Sequence, residues 1–414
     1  MDNSDIIVGV GTENINVLTV NAGSSSIKLR LFKTTEVSKS YETIFKASVT
    51  GIGQATGYLY TQFGTDIEHC KEVEAQNQSQ AISLLIELLN NQCSADKFSV
   101  IGHRIVHGGP KYHQPEIITD DVVGVLESYS SLDPQHMPFA LKLINDLRAN
   151  FPDVLQVACF DTAFFHELPR VSRILPLPRK YEAGGLRRYG FHGLSYTYLQ
   201  EEFRKIAGET AVNGRVIYAH LGSGASLSST YAGKPVDTTM GFSPTSGILM
   251  SSRSGDIDPS IALYLEKQYG VGSKEFNHIV NFESGLIGVS GLSSDMLTLI
   301  QNEAVNEHAS DAVNLFVNQV KKSIGSLSAT IGGLDSLIFS GGIGEKSPEI
   351  RSRICSDLGY LGVDLDPAQN NIQGKLISSP ASQVGVHVIP TDESKVIASQ
   401  SLNTFITNQN GGNY

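Results

Sequence analysis

NVLTVNAGSSSIKLRL, residues 16–31, can be laid over RVIYAHLGSGASLSST, residues 215–230. In each, an apolar strand-like run ends on a polar residue, Asn21 or His220, and passes through a Gly-Ser turn. Alternating residues follow that read as a strand returning beside the first. Two unrelated hairpins would give the same pattern, because Gly-Ser turns are common. Both turns also offer what a phosphate needs, backbone N–H groups and small hydroxyls that permit close approach. The echo therefore predicts two similar domains, each giving one loop to a shared cleft.

The rest of the chain agrees with a two-domain plan. At 414 residues it exceeds the roughly 250–300 at which single cores stop growing. NVLTV, SVIGHRIV, VLQVACF, RVIYAHL, SLIFSG and VHVIPT read as buried strands, and AISLLIELL and ALKLINDL as helices between them. Such alternation predicts an α/β class with largely parallel central strands. A net charge of −11 and a pI near 5.5 argue against a protein that covers nucleic-acid phosphates, so anionic ligands must be met by local cations. Cys70, Cys93, Cys159 and Cys355 lie far apart with no CxxC pair, which indicates neither a zinc site nor a disulfide framework. MDNSDIIVGVG lacks the basic flank of a signal peptide and no apolar run is long enough for a membrane span, so the expectation is a soluble, cytoplasmic protein. Walker-type, dinucleotide-binding, α/β-hydrolase and zinc-protease signatures are missing from the sequence.

Phosphoryl transfer needs cations that neutralise the transferred group, carboxylates that hold magnesium, and donors where charge spreads. Candidates lie in polar islands that end apolar strands: GHRIVHGG, FDTAFFH, YGFHGLSY, HLGSGAS, SSRSGDIDPS and PTDES. Arg104 and Arg253 read either as anion clamps or as structural ion pairs. Asp161 and Glu393 suit a magnesium shell partly bridged by water, and Glu393 equally suits the first turn of a helix. His136, His192 and His220 stand in Gly- or Pro-bounded loops as donors or as structural residues. In SLIFSGGIGEKSPEIRSRI, Gly341, Gly342 and Gly344 lead to a helix expected to start near Ser347-Pro348 with Glu349 in its first turn. They either admit a flat nucleotide or make a tight turn.

In order along the chain, NAGSSSIK (21–28), GHRIVHGG (102–109), FDTAFF (160–165), YGFHGLSY (189–196), HLGSGASL (220–227), RSGDIDPS (253–260), FSGGIGEKSPEIR (339–351) and TDES (391–394) resemble the acetate kinase (acetokinase) family. That family belongs to the superfamily of acetate and sugar kinases, heat-shock ATPases and actin. The resemblance implies duplicated actin-like, ribonuclease H-like domains with an interdomain cleft: 1–165, onto which 392–414 pack back, and 166–391 for the nucleotide. It implies an acyl-phosphate kinase in which a carboxylate oxygen attacks the terminal phosphate of ATP, yielding ADP. Mg2+ bridges the phosphates, Mn2+ can replace it, and the protein is a homodimer.

By the same resemblance Arg104 and Arg253 flank the carboxylate and the transferring group, His192 stabilises the transition state, and His136 assists. Asn21, Asp161 and Glu393 fall on phosphate and magnesium positions, with Asn21 and Glu393 nearest the metal and Asp161 also orienting substrate. Ser24, Ser26 and Lys28 sit on the first phosphate loop, and His220, Gly222, Ser223 and Gly224 on the second. Asp295, Leu297 and the glycines at 341, 342 and 344 fall near the nucleotide. Val106, Gln135, Phe191 and Pro244 match the pocket for the acyl group.

Three stretches depart from the family pattern. Ser223 stands where relatives read HLGNG, and Leu297 stands where they commonly carry an arginine near the base. In LDPQHMPF, Gln135 replaces the leucine of the family's LAPLHNPP, and Met137 and Phe139 replace Asn and Pro. An unpaired amide facing a methyl pocket costs roughly 1–3 kcal/mol, enough to favour a more polar acid, whereas an amide turned to solvent leaves acetate the expected substrate.

Overall fold

Asn14–Ala22 (β1) and Ser26–Thr35 (β2) form an antiparallel hairpin in which Asn21 stands opposite Lys28. The computed structural model describes residues 14–23, 26–36, 40–92, 98–134 and 136–411. Of these, 14–163 together with 392–411 form one compact unit and 164–391 the other.

In the first unit the hairpin continues antiparallel into Glu42–Thr50 (β3), Gly57–Phe63 (β4) and His69–Val73 (β5). On its other side β1 pairs parallel with Val100–Ile105 (β6). Glu116–Ile117 (β7) forms the edge beyond Leu155–Phe160 (β8), which pairs parallel with β6. Buried Leu18, Val20, Ile27 and Leu29 pack with Leu85 and Leu89 of the helix Gln78–Gln92 and with Phe139, Leu143 and Leu147 of the helix Met137–Asn150. The final helix, Glu393–Gly411, packs against β1, β6 and β8. Helices on both faces explain why these strands read as continuous apolar runs rather than as alternating ones.

The second unit repeats the plan. Val216–Leu221 (β9) turns through residues 222–224 into Ala225–Tyr231 (β10), and Lys234–Thr238 (β11) continues antiparallel. Ser336–Ser340 (β12) pairs parallel with β9, and Gly385–Val388 (β13) pairs parallel with β12. The core orders β3-β2-β1-β6-β8 and β11-β10-β9-β12-β13 coincide strand for strand, which is the duplicated actin-like, ribonuclease H-like fold. The parallel character expected from the sequence thus belongs to three strands of each sheet, and the hairpin strands and the edge strand β7 run antiparallel. The helix Gly193–Val212 covers β9 and β12 through Tyr196, Leu199 and Phe203.

One boundary differs from the sequence expectation. The helix Pro348–Cys355 starts where predicted, with Ser347 Oγ accepting from Ile350 N, but Gly341–Lys346 before it is already helical rather than a loop. Glu345 explains this: its Oε1 accepts from Gly341 N at 2.9 Å and caps the turn that the glycines alone would leave open. Among the described residues no helix is long and apolar enough to cross a membrane.

Candidate active-site clusters

In the first unit, three parallel strands and the last helix bring Asn21, Arg104, Asp161 and Glu393 together. Asn21 ends β1, Arg104 is the penultimate residue of β6, Asp161 follows β8, and Glu393 opens the final helix. This is the carboxyl end of the strands, where open α/β sheets build their sites. Arg104 Nη2 donates to Asp161 Oδ2 at 2.6 Å, and Nε lies 3.2 and 3.1 Å from the two Asp161 oxygens. Arg104 Nη1 donates to Asn21 Oδ1 at 3.1 Å, and Asn21 Nδ2 donates to Glu393 Oε2 at 2.7 Å. The amide orientation follows from charge, since a guanidinium only donates and a carboxylate only accepts.

Electrostatics hold this group together. Burial alone would lower the Arg104 pKa, but Asp161 and then Glu393 outweigh it and keep the guanidinium charged. Burial pushes the Asp161 carboxyl up, and the Arg104 fork pulls it only part of the way back, so it stays above its ordinary value. His136 stands at the N-cap position of the helix Met137–Asn150, and its Nδ1 lies 2.9 Å from both oxygens of buried Asp133. Burial would raise the Asp133 carboxyl, but the hydrogen bond and charge of His136 bring it below its ordinary value. The charge of His136 is felt at Asp161 and that of Asp133 at Arg104.

The donor set suits a loosely held magnesium ion. Glu393 offers a carboxylate beside the Asn21 amide, and among the described residues no three His, Cys, Asp or Glu converge as a closed cage. Mg2+ keeps water and phosphate oxygens in most of its positions and needs only one or two carboxylates from the protein.

In the second unit His192 and His220 stack, with ring centroids 4.5 Å apart. His192 adopts φ 61°, a left-handed conformation uncommon for a residue with a side chain, immediately before the helix Gly193–Val212. Its Nδ1 lies 2.9 Å from Ser226 Oγ on β10, and Ser226 Oγ lies 2.6 Å from Tyr196 Oη. His220 Nδ1 lies 2.8 Å from Ser195 Oγ, which lies 2.8 Å from Thr391 Oγ1. A Cβ built on Gly224 would sit 3.1 Å from His192 Nε2 and 2.9 Å from Arg253 Nη2, so these two groups converge on the turn. Arg253 Nη1 also donates to Pro244 O at 2.7 Å.

Around the turn, Gly222 N donates to Gly224 O at 3.0 Å, and Ser223 O accepts from Ser251 N at 3.1 Å. Gly341 has φ 76°, and a Cβ there would lie 2.7 Å from the Leu221 backbone, so this glycine makes a close crossing. Gly342 faces open space, and Gly344 needs no special room. Buried Arg351 holds the far end of that short helix through Gly344 O and Glu345 O, both at 2.8 Å.

The other expected site residues are more scattered. Ser26 and Lys28 lie on β2, with Lys28 exposed, and Val106 is buried in the first unit. Phe191 and Pro244 are buried in the second unit. Asp295 accepts from Thr298 N at 2.9 Å as a helix cap, and Leu297 is 63% exposed on that helix. Ser24 and Gln135 lie outside the described residues. Sequence reasoning missed Asp133, Ser195, Tyr196, Ser226, Glu345 and Thr391, which hold the others in place. The spacing of Tyr196 from His192, one helical turn, was the available signal.

Known proteins resemble this chain over nearly its whole length. A family profile described as "Acetokinase family" matches residues 16–399. The acetate kinase of Rhodopseudomonas palustris (strain TIE-1) is 39% identical over 385 residues, 92% of this chain and 96% of that protein. The acetate kinase of Bacillus subtilis (strain 168) is 37% identical over 389 residues, 92% of this chain and 97% of its own length. Among solved structures, Porphyromonas gingivalis acetate kinase superposes with a TM-score of 0.83 at 32% identity, covering 94% of this chain and 99% of that one. A propionate kinase from Francisella tularensis gives a TM-score of 0.86 at 32% identity with the same coverage.

Proposed function

Since the chain belongs to the acetokinase family, we propose that it is a magnesium-dependent kinase that transfers the terminal phosphate of ATP reversibly to acetate, giving acetyl phosphate and ADP. The geometry of Arg104, forked between Asp161 and the Asn21–Glu393 pair, carries this proposal. A carboxylate is a weak nucleophile already ionised at neutral pH, so catalysis needs position and charge neutralisation rather than a strong base. Arg104 and Arg253 are assigned to grip the carboxylate and the transferring group. His192 is assigned to donate toward the oxygens on which charge builds. The backbone of the 222–224 turn and the first-loop residues Ser26 and Lys28 hold phosphates, and the backbone from Gly341 to Gly344 lies against the nucleotide. Asn21 and Glu393 would hold magnesium, partly through water, and the ion when bound neutralises phosphate charge.

The test is direct. Purified protein with ATP, magnesium and a panel of short carboxylates should give hydroxylamine-trappable acyl phosphate, with acetate having the highest kcat/KM. No product from any of these acids would overturn the proposal. Preference for a larger or more polar acid, shifted back to acetate by Gln135→Leu, would favour a second reading motivated by the glutamine beside His136. We further propose a cytoplasmic homodimer. The helix Ser260–Tyr269 buries none of its residues although Ile261, Leu263 and Tyr264 are apolar, which supports self-association. Sedimentation at twice the chain mass is expected, and a monomer at micromolar concentration would refute it.

A further inference from the structure

The hydrogen bonds behind His192 determine where its proton sits. Tyr196 and Ser226 are both wholly buried, and among the described residues Ser226 is the one hydrogen-bond partner of the Tyr196 hydroxyl. A phenol has one proton to give. Were Tyr196 to accept from Ser226, that proton would point into the aromatic packing of Phe164, Phe165 and Tyr218 with no acceptor, and a buried unsatisfied donor is strongly disfavoured. Tyr196 therefore donates to Ser226 Oγ. Burial, which pushes the Tyr196 pKa up, keeps the phenol protonated for this purpose.

The order then propagates. Ser226 also has one proton, and among the described residues its remaining hydrogen-bond partner is His192 Nδ1 at 2.9 Å. That nitrogen accepts, so the imidazole is neutral and carries its hydrogen on Nε2. The other end of the ring is the one that faces the Gly224 turn beside Arg253 Nη2. We propose that Ser226 and Tyr196 are positioning residues which, acting through His192 Nδ1, fix the Nε2–H tautomer and so present a hydrogen-bond donor at the second phosphate loop. Its catalytic consequence rests on the kinase reading above, whereas the tautomer itself does not.

Histidine-selective 15N NMR of the full chain, with the His192 signals assigned by loss in His192→Gln, reads the tautomer without any turnover. The wild type should show Nε2 protonated and Nδ1 accepting. Ser226→Ala should share the proton between the two nitrogens and lower kcat about 10–100-fold, with the KM for ATP and carboxylate within about threefold. Tyr196→Phe, which keeps the ring and its packing, should introduce a minor Nδ1–H signal and a kcat loss smaller than that of Ser226→Ala. An Nδ1–H tautomer in the wild type, or both variants keeping the wild-type tautomer and kcat, would overturn the proposal. The expected tautomer in a protein that makes no acyl phosphate would support it while refuting the kinase reading.

Discussion

Arg104 and Arg253 carry the same charge but should respond differently to removal. Arg104→Ala leaves the 1%-exposed Asp161 side chain without its fork, and a buried carboxylate stripped of its partner costs about 3–5 kcal/mol. That variant should lose both turnover, by about 10²–10³-fold, and stability in a denaturant titration. Arg253→Ala should lower kcat by a similar factor, and an unchanged rate would return it to a structural role. The charged members of both clusters were legible in the sequence because each ends an apolar run, where a polar residue is conspicuous. Their partners were not. Asp133, Ser226 and Thr391 are ordinary loop or strand residues until the fold sets them beside a histidine ring or its partner, and nothing local in the chain distinguishes them from their neighbours.

Between elements, closeness is set by what a residue lacks. A Cβ on Gly102 of β6 would lie 2.7 Å from Ile397 Cγ2 and closer still to Ser401 Oγ on the final helix. Gly102→Ala should therefore push that helix away and cost about 1–3 kcal/mol, visible as a lower unfolding midpoint. An unshifted midpoint would show that the helix can move without cost. Because Glu393 begins the same helix, turnover should fall as well. The hairpins and the helices Gln78–Gln92 and Met137–Asn150 were readable from their apolar runs, which enter the core, Met137–Asn150 through two sets, Phe139, Leu143 and Leu147 on one side and Met137, Ala140, Leu141 and Ile144 on the other. The helix at Gly341–Lys346 was hidden because glycines signal a turn, and the cap that stabilises it comes from the side chain of Glu345.

For the molecule as a whole, acid sensitivity has a definite source in the first unit. His103 is buried, its Nε2 lies 2.8 Å from Gln156 Oε1, and burial lowers its pKa to about 4 despite that hydrogen bond. The unfolded chain takes up this proton near 6.5, so between those values it binds more protons than the folded one and stability falls as pH drops. The loss attributable to His103 should approach ~3 kcal/mol near pH 4. In His103→Gln, unfolding free energies measured from pH 7 to 4.5 should decline less steeply than in the wild type, and parallel curves would refute this source. The GHRIVHGG island thus mixes a core residue with a site residue, a distinction that burial makes and sequence does not.

The hydrogen bond from Asn21 to Glu393 spans 372 residues of chain. During synthesis at about 5–20 residues per second, β1 must therefore wait roughly 20–75 s for its last packing partner to be made. The second unit, continuous from 164 to 391, is complete before that. Until then the face of β1, β6 and β8 that the final helix covers stays bare, and exposed apolar surface of that kind is what makes a nascent chain prone to association.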